Sequence, residues 1–386
     1  MEHEIYLDNS ATTRVDEDVV NLIATCMREE YGNPASLHEK GIEAEKRIRT
    51  AREAIAETLK VDGKTIVFTS GGTESNNYAL FGTAYARIRD GKHIISTPVE
   101  HPSVKNVLKA LEEQGFLVTY VPVDRNGLVD PEDVVRAMRE DTTLVSVMYV
   151  NNEIGAVEPI EEIGRAIHEK KRDVTFHVDA IQAYGKYAIA PKKSQIDLLS
   201  VSSHKIGGPK GVGFLYVGEN VKIRPLILGG GQQRAMRSGT ENVPGVAGFG
   251  LAAEKMYKNL EQNRAHLFAL KQQLVDGLLT IEGAHINGKY DKDSAPHIVS
   301  CSFENVRSEV LLHALGAKKI YVSSGSACSS DHPSKIGTLA AIGLPESAQE
   351  GTIRLSLGIE NTAEEIDIVI RELKNLLPVL RRFVRR

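Results

Sequence analysis

The stretch DLLSVSSHKIGGPKGVGFLYV, residues 197–217, holds two short aliphatic runs and, between them, a turn in which Lys205 follows Ser202, Ser203 and His204 and precedes Gly207 and Gly208. Runs of this length, bounded by glycine and proline, read as strands. The signature recurs upstream in TIVFT (65–69), HIIST (93–97), LVTYVPV (117–123), TLVSVMYV (143–150) and VTFHVDA (174–180). Segments of helical period lie between several of them: Glu74–Arg89, Ser103–Gln114, Pro131–Arg139 and Ile160–Lys171. Strands alternating with helices predict an α/β fold with a mainly parallel, seven-stranded sheet covered on both faces.

At 386 residues the chain has room for this domain and a smaller companion. After Leu228 comes the glycine-rich GGGQQRAMRSGTEN (229–242), then a long amphipathic stretch over Val243–Leu279 with a hinge near residue 260. The remainder predicts a small α+β domain, with strands near 297–303 and 352–357 and helices near 308–315, 335–342 and 362–384. The expected division is a large domain over 12–259 and a small domain over 260–386 together with 1–11.

Hydrophobic residues make up 41 % and charged residues 25 % of the chain, the composition of a globular protein. A net charge of −4 sets up no global field for nucleic acid or an acidic membrane, so neither is an expected partner. Cys26, Cys301 and Cys328 are an odd, widely spaced set without a C-x-x-C pair, which suggests neither a disulfide framework nor a metal site. The N-terminal MEHEIYLDNSATT lacks signal-peptide features, and no apolar run approaches the roughly 18 residues of a membrane span. A reducing cytoplasm is the expected location.

In an open parallel sheet, ligands bind beyond the carboxyl ends of the strands. After the first strand, Ser70–Gly72 form a glycine turn and Thr73 opens a helix whose free N–H groups make an anion seat, in a sequence that is neither G-x-G-x-x-G nor Walker A. His101 follows the second strand, Asp179 and Gln182 follow VTFHVDA, and Lys205 follows DLLSVSS. Singly, each has a plain structural reading: a helix cap, a structural histidine, an N-cap carboxylate, a solvated loop charge. Together, a phosphate seat, a buried aspartate, a ring-stacking histidine and a lysine are what pyridoxal 5'-phosphate needs.

The motifs YLDNSATT, YGNPASLH, FTSGGTESNN, EHPSV, VNNEIG, HVDAIQ, SSHKIGGPKGVGFLYV, RSGTEN, SSGSACSS and IRLSLG are similar, in order and spacing, to those of group I cysteine desulfurases of the NifS/IscS type. The resemblance spans essentially the whole chain and implies a fold-type I pyridoxal-phosphate transferase acting as a homodimer. It implies that Lys205 carries the cofactor, Asp179 meets the pyridine nitrogen, Gln182 the ring hydroxyl, and His101 stacks on the ring. Phosphate contacts would come from Gly72, Thr73, Ser202 and His204, with Thr240 reaching in from the other subunit. Arg354, Asn152 and Asn33 would meet the substrate carboxylate; the guanidinium fork suits that partner in its own right.

On this reading Cys328, in SSGSACSS (323–330), is the nucleophile. A thiol that takes sulfur from a bound substrate and hands it to another protein needs a small, mobile tether, whereas Cys26 in VVNLIATCM and Cys301 in HIVSCSF have apolar core contexts. The implied reaction turns L-cysteine into L-alanine, with Lys205 moving the Cα proton and His101 assisting. The sulfur passes through Cys328 to an acceptor protein, an iron–sulfur scaffold or a tRNA-thiolation enzyme. Rival readings are an aminotransferase or β-lyase on the same cofactor, and a non-catalytic sulfur-assembly subunit. Many scaffold-associated members carry Leu-Glu-Pro-Ser where this chain has DHPS (331–334), which leaves the acceptor open. The terminal RRFVRR (381–386) reads as cations at a helix C-terminus or, second, as a docking patch for an acidic or RNA-bound partner.

Overall fold

A computed structural model of the chain describes residues 4–325 and 337–383. Its strands, in chain order, are β1 (Ile5–Tyr6), β2 (Ile66–Thr69), β3 (His93–Ser96), β4 (Leu117–Tyr120), β5 (Thr142–Met148), β6 (Thr175–Asp179), β7 (Leu198–Ser202), β8 (Gly213–Val217), β9 (Ala284–Asn287), β10 (Ile298–Phe303), β11 (Ile320–Tyr321), β12 (Ser323–Ser324) and β13 (Thr352–Ser356). Strands β2 to β8 form one sheet in the order β2-β8-β7-β6-β5-β3-β4. The seven runs read from the sequence are these seven strands.

Connection length sets their direction. Helices or long connections join most of these strands, and β3, β4, β5, β6 and β7 pair in parallel. The turn after Ser202 is too short for a crossover, so β8 folds back antiparallel against β7, pairing Ser202 with Gly213. Neighbouring residues point to opposite faces, as the pleat requires. Ile66, Ile95, Val145 and Leu199 enter one apolar core, whereas Val67, Ile94, Leu144 and Leu198 enter two smaller ones on the other side.

The helices used below are α1 (Glu17–Arg28), α2 (Glu39–Leu59), α3 (Gly72–Ala86), α4 (Pro102–Glu113), α5 (Pro131–Ala137), α6 (Ile160–Lys170), α7 (Val243–Lys258) and α8 (Leu260–Leu279). The amphipathic stretch breaks at Asn259, between α7 and α8, where a hinge is expected from the sequence. The 21-residue α2 is absent from the sequence reading. Its buried stripe is Gly41, Ala44, Ile48, Ala51, Ile55, Ala56 and Leu59, in which the small residues dilute the apolar period. Those small residues let α7 approach closely: a Cβ on Gly250 would come within 2.6 Å of the Cα of Ala51.

The second sheet, ordered β12-β13-β10-β9, is antiparallel and packs with α8 and the helix Ala363–Leu380 around a separate core that Ile5 and Leu7 join. Arg381 donates to the carbonyl oxygens of Glu304 and Glu282 at 3.1 and 2.5 Å, so this arginine secures the helix end; residues 384–386 lie outside the described part. Among the described residues no helix is long and apolar enough to cross a membrane.

Candidate active site

The sheet's carboxyl edge assembles the site. Past β2 the chain turns at Gly71, whose φ of 148° is open only to glycine, and α3 starts at Gly72 without a side-chain cap. A Cβ on Gly72 would lie 2.2 Å from Cδ1 of Ile181, so any larger residue here would have to displace that side chain, which follows β6. The uncapped terminus opens into a cavity of about 510 Å³ whose walls include Thr12, Ser70, Thr73, Ser202, His204 and Lys210. Burial, with the charges of Lys205, Lys210 and Lys186, lowers His204 to about 4, leaving a neutral ring there. A second hollow, about 440 Å³, shares Thr73 and is walled by His101 and Ser103.

Asp179, at the end of β6, is 3 % exposed. Its Oδ2 accepts from the Asn76 amide at 2.8 Å and its Oδ1 from the Ile181 N–H at 3.0 Å. Asn76 spends its other N–H on Ser103 Oγ at 2.8 Å, and His101 Nδ1 lies 2.8 Å from that hydroxyl and accepts the Ser103 N–H at 3.1 Å. Accepting at Nδ1 leaves the neutral ring's proton on Nε2. Burial raises the Asp179 carboxyl, opposed by nearby His101 and Lys205, and burial lowers His101. Behind them Glu100 is fully buried; its Oε1 accepts from the Met148 N–H at 2.8 Å and Thr97 Oγ1 at 3.0 Å, tying the His101 turn to the strand beside β6.

Lys205 ends a one-turn helix, Ser203–Lys205, after β7. Its ammonium donates to the carbonyl oxygens of Ala11, at 2.7 Å, and Ser10, and its own carbonyl accepts from buried Lys186 at 2.6 Å. Burial, then the charge of Lys205, lowers Lys186 to about 7. Gln182 donates to the carbonyl oxygen of Ser10 at 3.0 Å and faces His297 Nε2 at 3.3 Å.

Arg354 projects from the middle of β13. It donates to the carbonyl oxygen of Asn152 at 2.8 Å, to Asp8 Oδ1 at 2.9 Å and to Ser323 Oγ at 3.2 Å, while its buried Nε has no partner among the described residues. Asp8 also accepts from Ser323 at 2.7 Å.

The structure thus gathers Gly72, Thr73, Ser202 and His204 around one cavity, connects His101 to Asp179, and sets Lys205 and Gln182 on the carbonyl of Ser10. Asn33 stays apart, exposed, with Oδ1 accepting the Ala35 N–H at 3.0 Å. Thr240 is exposed and lines neither cavity. Cys328 and the DHPS stretch lie outside the described residues. Cys26 and Cys301 are buried, and burial pushes their thiols up to about 11 and about 12, so neither is a ready nucleophile. The sequence reading passes over Asn76, Ser103, Lys186, His297 and Asp8. A signal existed for Asn76, which stands one turn after Gly72, on the face that meets β6.

The class-V aminotransferase family matches residues 5–369. The cysteine desulfurase IscS of Methanosarcina thermophila is 45 % identical over 377 residues, which span 98 % of this chain and 93 % of that protein. A solved NifS-like protein superposes with a TM-score of 0.93 at 41 % identity, covering 98 % of this chain and 100 % of the other. The structure of SspA in complex with cysteine gives a TM-score of 0.80 at 34 % identity, over 93 % of this chain and all of that one. Full-length similarity of this kind, on a sheet whose carboxyl edge gathers this set of polar groups, establishes that the chain belongs to the class-V aminotransferase family and, within it, to the cysteine desulfurases.

Proposed function

We propose that the protein converts L-cysteine to L-alanine and passes the sulfane sulfur, through a persulfide on Cys328, to an acceptor protein. The family's cofactor is pyridoxal 5'-phosphate. The residues present fit it: an uncapped helix terminus opens on a polar cavity, and a buried carboxylate is held in place by Asn76. When bound, the cofactor supplies an electron sink for the substrate Cα. Gly72, Thr73, Ser202 and His204 would hold its phosphate, Asp179 its ring nitrogen, Gln182 its ring hydroxyl, and His101 its face.

The chain's own groups move the protons. Lys205 Nζ would anchor the cofactor and take the substrate Cα proton; His101 would give a proton from Nε2, the nitrogen its hydrogen bonds leave protonated. Arg354, already oriented by Asp8 and the Asn152 carbonyl, would receive the substrate carboxylate, with Asn152 beside it. Cys328, in the smaller domain of residues 260–386 with 1–11, would attack the substrate sulfur, and described residues on either side of it are tied down. Ser323 binds Asp8, and Thr338 Oγ1 donates to Glu153 at 3.0 Å.

The observation that carries this reading is the hydrogen-bonded connection from His101 through Ser103 and Asn76 to buried Asp179, on the same strand ends as Lys205. The capture of cysteine by SspA supports the substrate. The exposed Thr240 suits a contact to the cavity of a second copy, so the working unit is a homodimer. A cytoplasmic location, and an iron–sulfur scaffold or tRNA-thiolation enzyme as acceptor, complete the proposal.

The deciding variant is Cys328→Ser, assayed by mass spectrometry for the persulfide and by alanine release. Cysteine should still perturb the bound cofactor's absorption, because Lys205 is intact, while persulfide and alanine both disappear, since a hydroxyl is a poor nucleophile toward sulfur. Normal alanine formation in that variant would instead favour an elimination that releases sulfide.

A further inference from the structure

We propose that His297 is a positioning residue that fixes the direction of the Gln182 side-chain amide. The inference rests on the assignment of Gln182 to the cofactor's ring hydroxyl. His297 precedes β10, in the second sheet, yet its ring reaches Gln182, just past β6 in the first. The imidazole is 1 % exposed, with Nε2 3.3 Å from Gln182 Oε1 and a buried Nδ1 that has no partner among the described residues.

Two acceptors and one proton decide the arrangement. The Ser10 carbonyl can only accept, so the Gln182 NH2 group must face it, as it does at 3.0 Å. Gln182 Oε1 therefore faces the histidine and needs a donor, which makes Nε2 the protonated nitrogen. The other tautomer would oppose two lone pairs at Nε2 and bury an N–H at Nδ1 without an acceptor, a costlier orphan than a bare lone pair. Burial, helped by the charges of Lys186, Lys271, Arg354 and Lys205, keeps a second proton off the ring. Held from both sides, the amide cannot flip, and the second N–H of its NH2 group remains for the cofactor's ring oxygen.

The test uses the holoenzyme and the pH midpoint of its visible cofactor band. Losing one hydrogen bond to the ring oxygen should move that midpoint by roughly 0.5–1 unit. Gln182→Ala and His297→Met should each move it, the double variant should move it no further than either, and His297→Gln, which places an N–H near the Nε2 position, should restore it. If Gln182→Ala moves the midpoint and His297→Met does not, or if the two shifts add, the positioning role is overturned while the Gln182 assignment stands. If Gln182→Ala leaves it unmoved, the assignment falls and takes this inference with it. Should His297→Met fail to fold, ¹⁵N-histidine NMR of the unmutated protein decides. A proton on Nε2 supports the role, and one on Nδ1 overturns it.

Discussion

The two sheets carry their chemistry in different places. In the seven-stranded sheet both faces are largely apolar, with a buried hydrogen-bonded row of Ser146, His177 and Ser200 across β5, β6 and β7, and the candidate site groups stand at or just past the strand ends, as Asp179 and Lys205 do. In the four-stranded sheet the chemistry is in mid-strand. One face of β10 and β13 is Val299, Cys301, Phe303, Ile353 and Leu355, and the other is Ser300, Ser302, Thr352, Arg354 and Ser356. That polar face is buried too. Asn287 donates to Ser300 and Ser302 at 3.1 and 2.9 Å, and Ser302 meets Thr352 at 2.7 Å, so its hydroxyls satisfy one another and leave Arg354 as the charged group in the row. A parallel sheet is largely apolar on both sides because helices cover both, and its few mid-strand polar groups must satisfy one another. An antiparallel one can turn a polar face toward a neighbouring domain and place an arginine in it.

If this contrast is right, substitutions at the strand ends should stop the reaction and those in the middle of the second sheet should grade it. Lys205→Ala should show the largest effect: about 10³-fold lower turnover and no borohydride-reducible cofactor. A reducible cofactor that persists there would point to Lys210, which lines the same cavity. Arg354→Met should come next, raising KM for cysteine by about 10- to 100-fold, the worth of a charge-assisted pair, with a smaller change in kcat. Equal loss in kcat and in kcat/KM would place the arginine in the chemical step instead.

Below these come stability effects that separate the two faces of β10. Ser302→Ala breaks buried hydrogen bonds and Cys301→Ser buries a hydroxyl in an apolar core, so each should cost about 1–3 kcal/mol in denaturant unfolding, for opposite reasons, with turnover of the folded enzyme preserved. The smallest effect belongs to the amino edge of the large sheet. There the Asp197 carboxylate, 3.3 Å from His168, raises that histidine above its ordinary value. A raised folded value means that the folded state binds more protons. The pair's contribution is therefore complete below pH about 6.5 and is lost as pH rises through the folded value. Melting temperature should fall across that window in the unmutated protein and flatten in His168→Gln, with turnover unaffected.

Much of this was legible. Short strands recurring with helices between them determine the sheet, and ligand placement beyond strand ends leads to Asp179, Gln182 and Lys205 one residue at a time. Helix α2 escaped because glycine and alanine alternate with Ile48, Ile55 and Leu59 along its buried face, and the meaning of the small residues lies in how near α7 comes. Asp8 and His297 escaped for a related reason: an aspartate just past a short N-terminal strand and a histidine after a proline have ordinary local readings. Their roles exist only where the chain returns, Asp8 beside Arg354 346 residues later and His297 beside Gln182 115 residues earlier.

The amino-acid sequence by itself determined the α/β sheet, the order of its strand-end groups and the chemistry they can share, because side-chain period and turn residues act over a few neighbours. Tertiary structure alone decided which way the Gln182 amide points, which partners orient Arg354 and which carbonyls hold Lys205. Hydrogen bonds of that kind depend on distances between segments far apart in the chain, and only the packing of the two cores sets those distances.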